Sequence, residues 1–200
     1  MIDFSTLQGL TIPEGVVTQI KDAQGNVLWK KIVAGSVIWR PSADISIEHS
    51  LYPASSDQAY KLINEEVSDG DSTYIWTDGA GRTSKFKLDG NSPPIGATIT
   101  SVTIFAERWS ETLNSQSFTL EVNGVQMPSV TLWGDESKAF SGIVMGAIAP
   151  INDYFAVNKR LPDINITIKS NYSGGNNNSG KEEEPEESGI TQIYVVLTYG

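Results

Sequence analysis

From residue 41 onward, apolar and polar residues alternate with a period of two in one segment after another, and that alternation restricts the fold more than any other feature of the chain. Across 98–109, Val102, Ile104 and Ala106 fall on one side, with Thr103, Phe105 and Glu107 on the other. Phe118, Leu120 and Val122 alternate with Thr119 and Glu121, and Ile164, Ile166 and Ile168 with Asn165, Thr167 and Lys169. The last run sets Ile193, Val195, Leu197 and Tyr199 against Tyr194, Val196 and Thr198. Successive side chains of a strand point to opposite faces, so each segment has one face to bury against a partner. Ile45 with Ile47, Tyr60 with Leu62, and the stretches 73–77, 84–88 and 129–133 extend the pattern. Asn123 and Gly124 both accept positive φ, as a two-residue hairpin demands before Val125 starts the return. Strands in this number, about ten residues apart with Gly, Asn, Asp and Pro between them, predict an all-β, antiparallel sandwich of jelly-roll type. No amphipathic helix of ordinary length is expected. Residues 140–148 fit strand or short helix, and the turn at 150–153 leads at most into one helical turn at Tyr154 and Phe155.

Residues 1–40 read as a separate amino-terminal attachment segment. Apolar runs at 16–20 and 27–33 flank a Gly/Asn turn at 22–26, which predicts a small β-hairpin. The competing reading is a helical turn capped by Thr11, with Val16, Val17 and Ile20 at helical spacing. The sandwich is then expected over 41–200, after a junction around Gly35, Ser36 and Pro41. Within it, 170–189 is Gly/Asn-rich and then Glu-rich, with no face to pack; it reads as a flexible acidic insertion between two strands expected to pair with each other.

A chain of 200 residues buries roughly 70% of its unfolded surface, enough for a core without staples. The absence of cysteine excludes disulfides, thiolate nucleophiles and cysteine-bound zinc. A net charge of −10 repels a polyphosphate backbone, so nucleic acid is not an expected partner. No apolar run reaches the ~20 residues of a membrane span, and Met1 to Ser5 lack the basic start of a secretory signal. The expectation is a soluble protein without an export signal of its own and without a membrane partner.

Four chemistries merit weighing. Asp69, Asp71 and Asp78, with Glu65 and Glu66 nearby, offer hard oxygen ligands for calcium, the one cofactor the sequence suggests. The helix–loop–helix calcium pattern fails, because the twelfth position from Asp69 is Ala80 rather than a bidentate Glu; the simpler reading is a solvated turn. His49 is the single histidine. No Gly-x-Ser-x-Gly elbow presents a serine to it, so a polar strand face or a strand end suits it better than a triad. Carboxylate pairs for glycoside cleavage are unspecific among 24 acids. Trp76, Trp109 and Trp133, with Tyr52 and Tyr74, are candidates for stacking on sugar rings, although one of Tyr74 and Trp76 is expected to face the core.

Two stretches resemble known proteins. Residues 10–29, from Leu10-Thr-Ile-Pro-Glu-Gly to Asn26-Val-Leu-Trp29, resemble the amino-terminal segment of phage and prophage structural proteins of Gram-positive gut bacteria. Leu51-Tyr-Pro53, the expected strand from Ala59 to Glu66, Asp69-Gly-Asp-Ser-Thr-Tyr-Ile75 and the closing run from Ile190 to Tyr199 resemble the jelly-roll domains of phage virion proteins. The resemblance implies a non-enzymatic tail- or virion-associated protein that contacts other virion subunits, its own copies or a cell-surface glycan; it carries over no catalytic residue. The alternative reading is a carbohydrate-binding β-sandwich, with a glycan-active enzyme as a distant third.

Overall fold

Gly25, at φ 87°, turns the chain between β1 (Gln19–Lys21) and β2 (Val27–Lys30), which pair antiparallel as the expected hairpin. Only glycine adopts that conformation without strain. The computed structural model describes residues 19–21, 24–30, 32–66, 72–77, 81–110, 115–133, 138–171 and 188–200. The competing helix from Thr11 and most of the acidic insertion lie outside them.

The chain divides into two units, Met1–Val33 and Ala34–Gly200, so the boundary expected after residue 40 falls earlier. Residues 35–40 already belong to β3 (Gly35–Ser46). Pro41 sits beside a register shift in that strand, a position where its missing N–H is tolerated, and not in a linker.

The second unit continues with β4 (Ser50–Tyr52), β5 (Tyr74–Thr77), β6 (Thr83–Gly90), β7 (Ile99–Ser110), β8 (Ser115–Val122), β9 (Val125–Gln126), β10 (Val130–Trp133), β11 (Lys138–Ile143), α1 (Ile148–Asn158), β12 (Ile164–Asn171) and β13 (Ser188–Tyr199). All pairings are antiparallel. One layer runs β10-β8-β12-β6 and the other is built on β13, which has β7 and then β11 on one side. The other side of β13 is shared end to end by the first half of β3 and by β5, with β4 beyond β5. β3 joins the layers: it pairs with β13 from Gly35 to Trp39 and with β6 from Trp39 onward. Asn123 and Gly124 make the β8–β9 turn at φ 53° and 81°.

The alternation read from the sequence is the burial pattern of the sandwich. Val102, Ile104 and Ala106 face Phe118, Leu120, Val122, Ile164, Ile166 and Ile168 in one continuous core, which also takes in Ile190, Ile193, Val195 and Leu197. Three local expectations are corrected. Residues 59–62, expected as strand, form a 3₁₀ turn, because Asp44 accepts the N–H groups of Ala59 and Tyr60 at 2.8 and 2.7 Å and holds the chain in a turn. The turn expected at Pro150 lies inside α1, an eleven-residue helix; Pro150 occupies its first turn, where a missing N–H breaks no bond. Ile151 and Phe155 insert into the core one turn apart, and the Asn152 amide clamps Ile99, accepting its N–H at 2.7 Å and donating to its carbonyl at 2.9 Å. Finally, β12 and β13 do not pair. Both edges of β12 are taken by β6 and β8, so the segment between β12 and β13 joins opposite layers. Among the described residues, no helix is long and apolar enough to cross a membrane.

Candidate functional site

His49 lies between β3 and β4, at a strand end rather than on a polar face, and it is 5% exposed. Its Nδ1 is 2.7 Å from Ser84 Oγ, and its Nε2 is 3.0 Å from Ser170 Oγ. Ser84 Oγ already accepts the N–H groups of Glu48 and His49, at 3.2 and 3.3 Å. Its own proton is therefore directed at Nδ1, which leaves Nε2–H to donate to Ser170. Burial pushes the His49 pKa down to about 4; Glu48 opposes the shift and Arg82 adds to it. A neutral, enclosed imidazole pinned between two buried hydroxyls ties β6 and β12 to the loop before β4. Ser84 is fully buried, so no substrate reaches it and the pair is not a nucleophile with its base.

The two outer faces of the sandwich differ in chemistry. On the β8–β12–β6 layer, Lys85 pairs with Glu121 at 2.9 Å, Asn165 donates to the same carboxylate, and hydroxyl pairs such as Thr119–Ser129 surround them. The hydrogen bond from Lys85, then that from Asn165, holds the Glu121 carboxyl below its usual pKa. This is a solvated polar surface. The outer face of the β13 layer carries the aromatic residues. Tyr52 stacks on its cross-strand partner Tyr74 with ring centroids 4.7 Å apart and planes 14° apart. Tyr52 lies on the outermost strand and is 48% exposed, which leaves it open to solvent. Further along, Phe105 stacks on Tyr194 at 5.0 Å, and the Arg40 guanidinium lies 4.9 Å over the Tyr194 ring.

Neither Tyr74 nor Trp76 faces the core, contrary to the expectation for one of them. Ile75 and Thr77 take the inward positions of β5, and the two aromatic residues are half-buried on the outer side. Trp76 and Trp109 stand in register on either side of Gly189, so β13 brings these two positions into one row. Trp133 stands opposite Ser115 in the other layer and is not part of that row.

A cleft of about 660 Å³ opens where β3 passes from one layer to the other, lined by Ser36, Ile38, Arg40, Glu66, Asp89 and Asn91 among others. Its walls are fixed by a run of bonds that begins at the Asp44-capped turn. Beyond that turn, the Ile63 carbonyl accepts the Ile193 N–H at 2.9 Å. The Glu65 carbonyl accepts from Gln192 Nε2 at 2.7 Å and from Arg40 Nη1. Those bonds set Glu66 against the cleft. Opposite it, Trp39 Nε1 donates to the Asn91 carbonyl at 2.9 Å, and Asp89 spends one carboxylate oxygen on the Gly90 N–H. A Cβ on Gly90 would come within 2.3 Å of the Ile38 carbonyl, so the close approach of β3 and β6 under the cleft requires glycine. The Thr73 hydroxyl donates to the Glu65 carboxylate at 2.9 Å, which connects Tyr74, the neighbour of Thr73, to Glu66 of the cleft, the neighbour of Glu65.

No family model matches the sequence, and no curated protein matches it. Solved structures similar to it include three carbohydrate-binding modules. The CBM36-1 domain of a multidomain xylanase from the hindgut metagenome of Trinervitermes trinervoides is 8% identical, with a TM-score of 0.35 over 82% of this chain and 96% of that one. TmCBM61, solved with β-1,4-galactotriose, is 12% identical, with a TM-score of 0.37 over 78% and 86%. The xylan-binding module CBM15 is 11% identical, with a TM-score of 0.39 over 84% and 97%. Likenesses this distant say nothing of what this chain binds.

The candidate calcium ligands Asp69, Asp71 and Asp78 lie outside the described residues; among the described residues no three ligand-type side chains gather. Arg40, Asp89 and Asn91 were not visible as site residues in the sequence. The local signal for Asp89 and Asn91 is the Asp89-Gly90-Asn91 run at the end of β6, whose meaning depends on the pairing of Gly90 with Trp39.

Proposed function

We propose that this chain is a non-catalytic, glycan-binding β-sandwich that works through the outer face of the β13 layer. The observation that carries the reading is the solvent-open Tyr52 ring stacked on Tyr74 and connected through Glu65 to a polar cleft. A sugar ring presents an apolar C–H face and a rim of hydroxyls, and the surface offers an aromatic plane beside mixed donors and acceptors. The cleft volume falls within the roughly 300–1,000 Å³ typical of small-ligand sites. Affinity electrophoresis in gels that each contain one polysaccharide tests this. Retardation by at least one of them, weakened about tenfold by Tyr52→Ala, is the expected result; that factor corresponds to about 1.4 kcal/mol. Equal mobility in every gel would remove the reading.

A second reading keeps the virion-associated role, with the glycan as a cell-surface receptor. It is supported by the separation of Met1–Val33 from the sandwich and by the resemblance of residues 10–29 to phage structural segments. Light scattering of the full chain against a form starting at Ala34 tests it: association that requires residues 1–33 supports attachment, and identical masses per chain oppose it.

A further inference from the structure

We propose that the cleft selects uncharged sugar chains over anionic ones, with Asp89 and Glu66 accepting hydroxyl protons and Arg40 donating to ring or hydroxyl oxygens. The proposal rests on the glycan-binding reading and adds the class of glycan. Three features converge on it.

The first is charge. Two carboxylates and one guanidinium line the cleft, within a chain of net charge −10. A uronate or phosphate group would bring a further negative charge into that field and be repelled. The second is hydrogen-bonding capacity. A sugar hydroxyl both donates and accepts, and O–H to carboxylate bonds are short and charge-assisted. Asp89 gives one oxygen to the Gly90 N–H and retains a second; Glu66 and Asp89 are both exposed. The third is fixed geometry. Arg40 is held over Tyr194 and bound to the Glu65 carbonyl, so it is positioned before a ligand arrives and cannot swing out as a general anion trap. Preorganised donors of this kind favour a fixed pattern of hydroxyls over a diffuse negative charge.

The test uses the full chain in affinity gels that contain mixed-linkage β-glucan, galactan, xylan or polygalacturonate at one ionic strength. Asp89→Asn, which keeps an acceptor for the Gly90 N–H, and Glu66→Gln are run beside it. Both positions are exposed, and unchanged melting temperatures show that the variants fold. The expected result is retardation by an uncharged polymer, none by polygalacturonate, and at least a fivefold weaker interaction in each variant. Retardation by an uncharged polymer that both variants retain, while Tyr52→Ala loses it, overturns the cleft assignment and leaves the glycan reading intact. Stronger retardation by polygalacturonate also overturns it. Absence of retardation by all four polymers removes both readings together. Release of reducing ends during incubation would show that the carboxylates act chemically, which overturns their assignment as simple acceptors.

Discussion

Gln116 is fully buried on β8, and neither its Oε1 nor its Nε2 has a hydrogen-bond partner among the described residues. It stands in register with Ser170, next to the layer that His49 pins. A buried amide that gave up water and gained no partner costs about 1–3 kcal/mol, so Gln116→Met, similar in length and apolar, is expected to stabilise the fold by roughly that amount. Urea unfolding at neutral pH reads it as a higher midpoint at unchanged slope; a lower midpoint would mean that the amide is satisfied in solution. His49 acts in the opposite sense in acid. Unfolded, it takes up a proton below about pH 6.5; folded, burial defers that to about pH 4. Between those values the unfolded state binds more protons, so stability falls as the pH falls, by about 1.4 kcal/mol per pH unit. The contribution is complete above pH 6.5 and gone below about pH 4, a loss of about 3 kcal/mol over the window. His49→Gln removes the titrating group, and its stability profile between pH 6.5 and 4 should be flatter than that of the parent. Parallel profiles would show that His49 does not carry the acid sensitivity.

Among the elements, the 3₁₀ turn at Ala59–Leu62 decides whether the cleft has a wall. Asp44, on β3, accepts both leading N–H groups of the turn, and the chain beyond it delivers Glu65 and Glu66. Asp44→Ala leaves two part-buried donors unpaired and is expected to cost about 1–3 kcal/mol. It should also speed hydrogen exchange at 59–66 more than in β12, since the loss is local. Uniform acceleration would place the effect on global stability instead. The same turn marks where the sequence stopped being readable. Strands with three or more alternations, such as β7, β8, β12 and β13, were legible because a single pattern set their buried faces. Tyr60 and Leu62 fit that period over too few residues, and what bends them is a carboxylate fifteen or more positions away. α1 was hidden for another reason: Ala149, Ala156 and Val157 put apolar residues on its open side as well, so no stripe stood out. The cleft draws on β3, the end of β6 and the 63–66 loop. Only the β3–β6 register brings Arg40 opposite Asp89, and no local pattern encodes that pairing.

At the scale of the whole molecule, the last strand of the sandwich joins three others, among them the strand that opens it. β13 pairs with β7 along its length, with β5 near its start and with β3 near its end. It buries Ile190, Ile193, Val195 and Leu197. Residues 35–39 therefore close against residues 195–199, which makes the sandwich dependent on contacts between distant parts of the chain. Folds dominated by such contacts form slowly and as a unit, in about milliseconds to seconds. Met1–Val33, by contrast, is a compact unit of its own. The two ends should then respond differently to truncation. A form starting at Ala34 is expected to keep one cooperative unfolding transition, because the unit that holds the whole buried apolar cluster is left intact. A form ending before Ile193 removes three of the four buried apolar β13 side chains and the partner of β3, and it should show no cooperative transition. Denaturant melts followed by tryptophan fluorescence and by far-ultraviolet circular dichroism decide the matter. If the shortened amino-terminal form unfolds at a much lower midpoint, residues 1–33 contribute to the sandwich and the two units are not independent in stability.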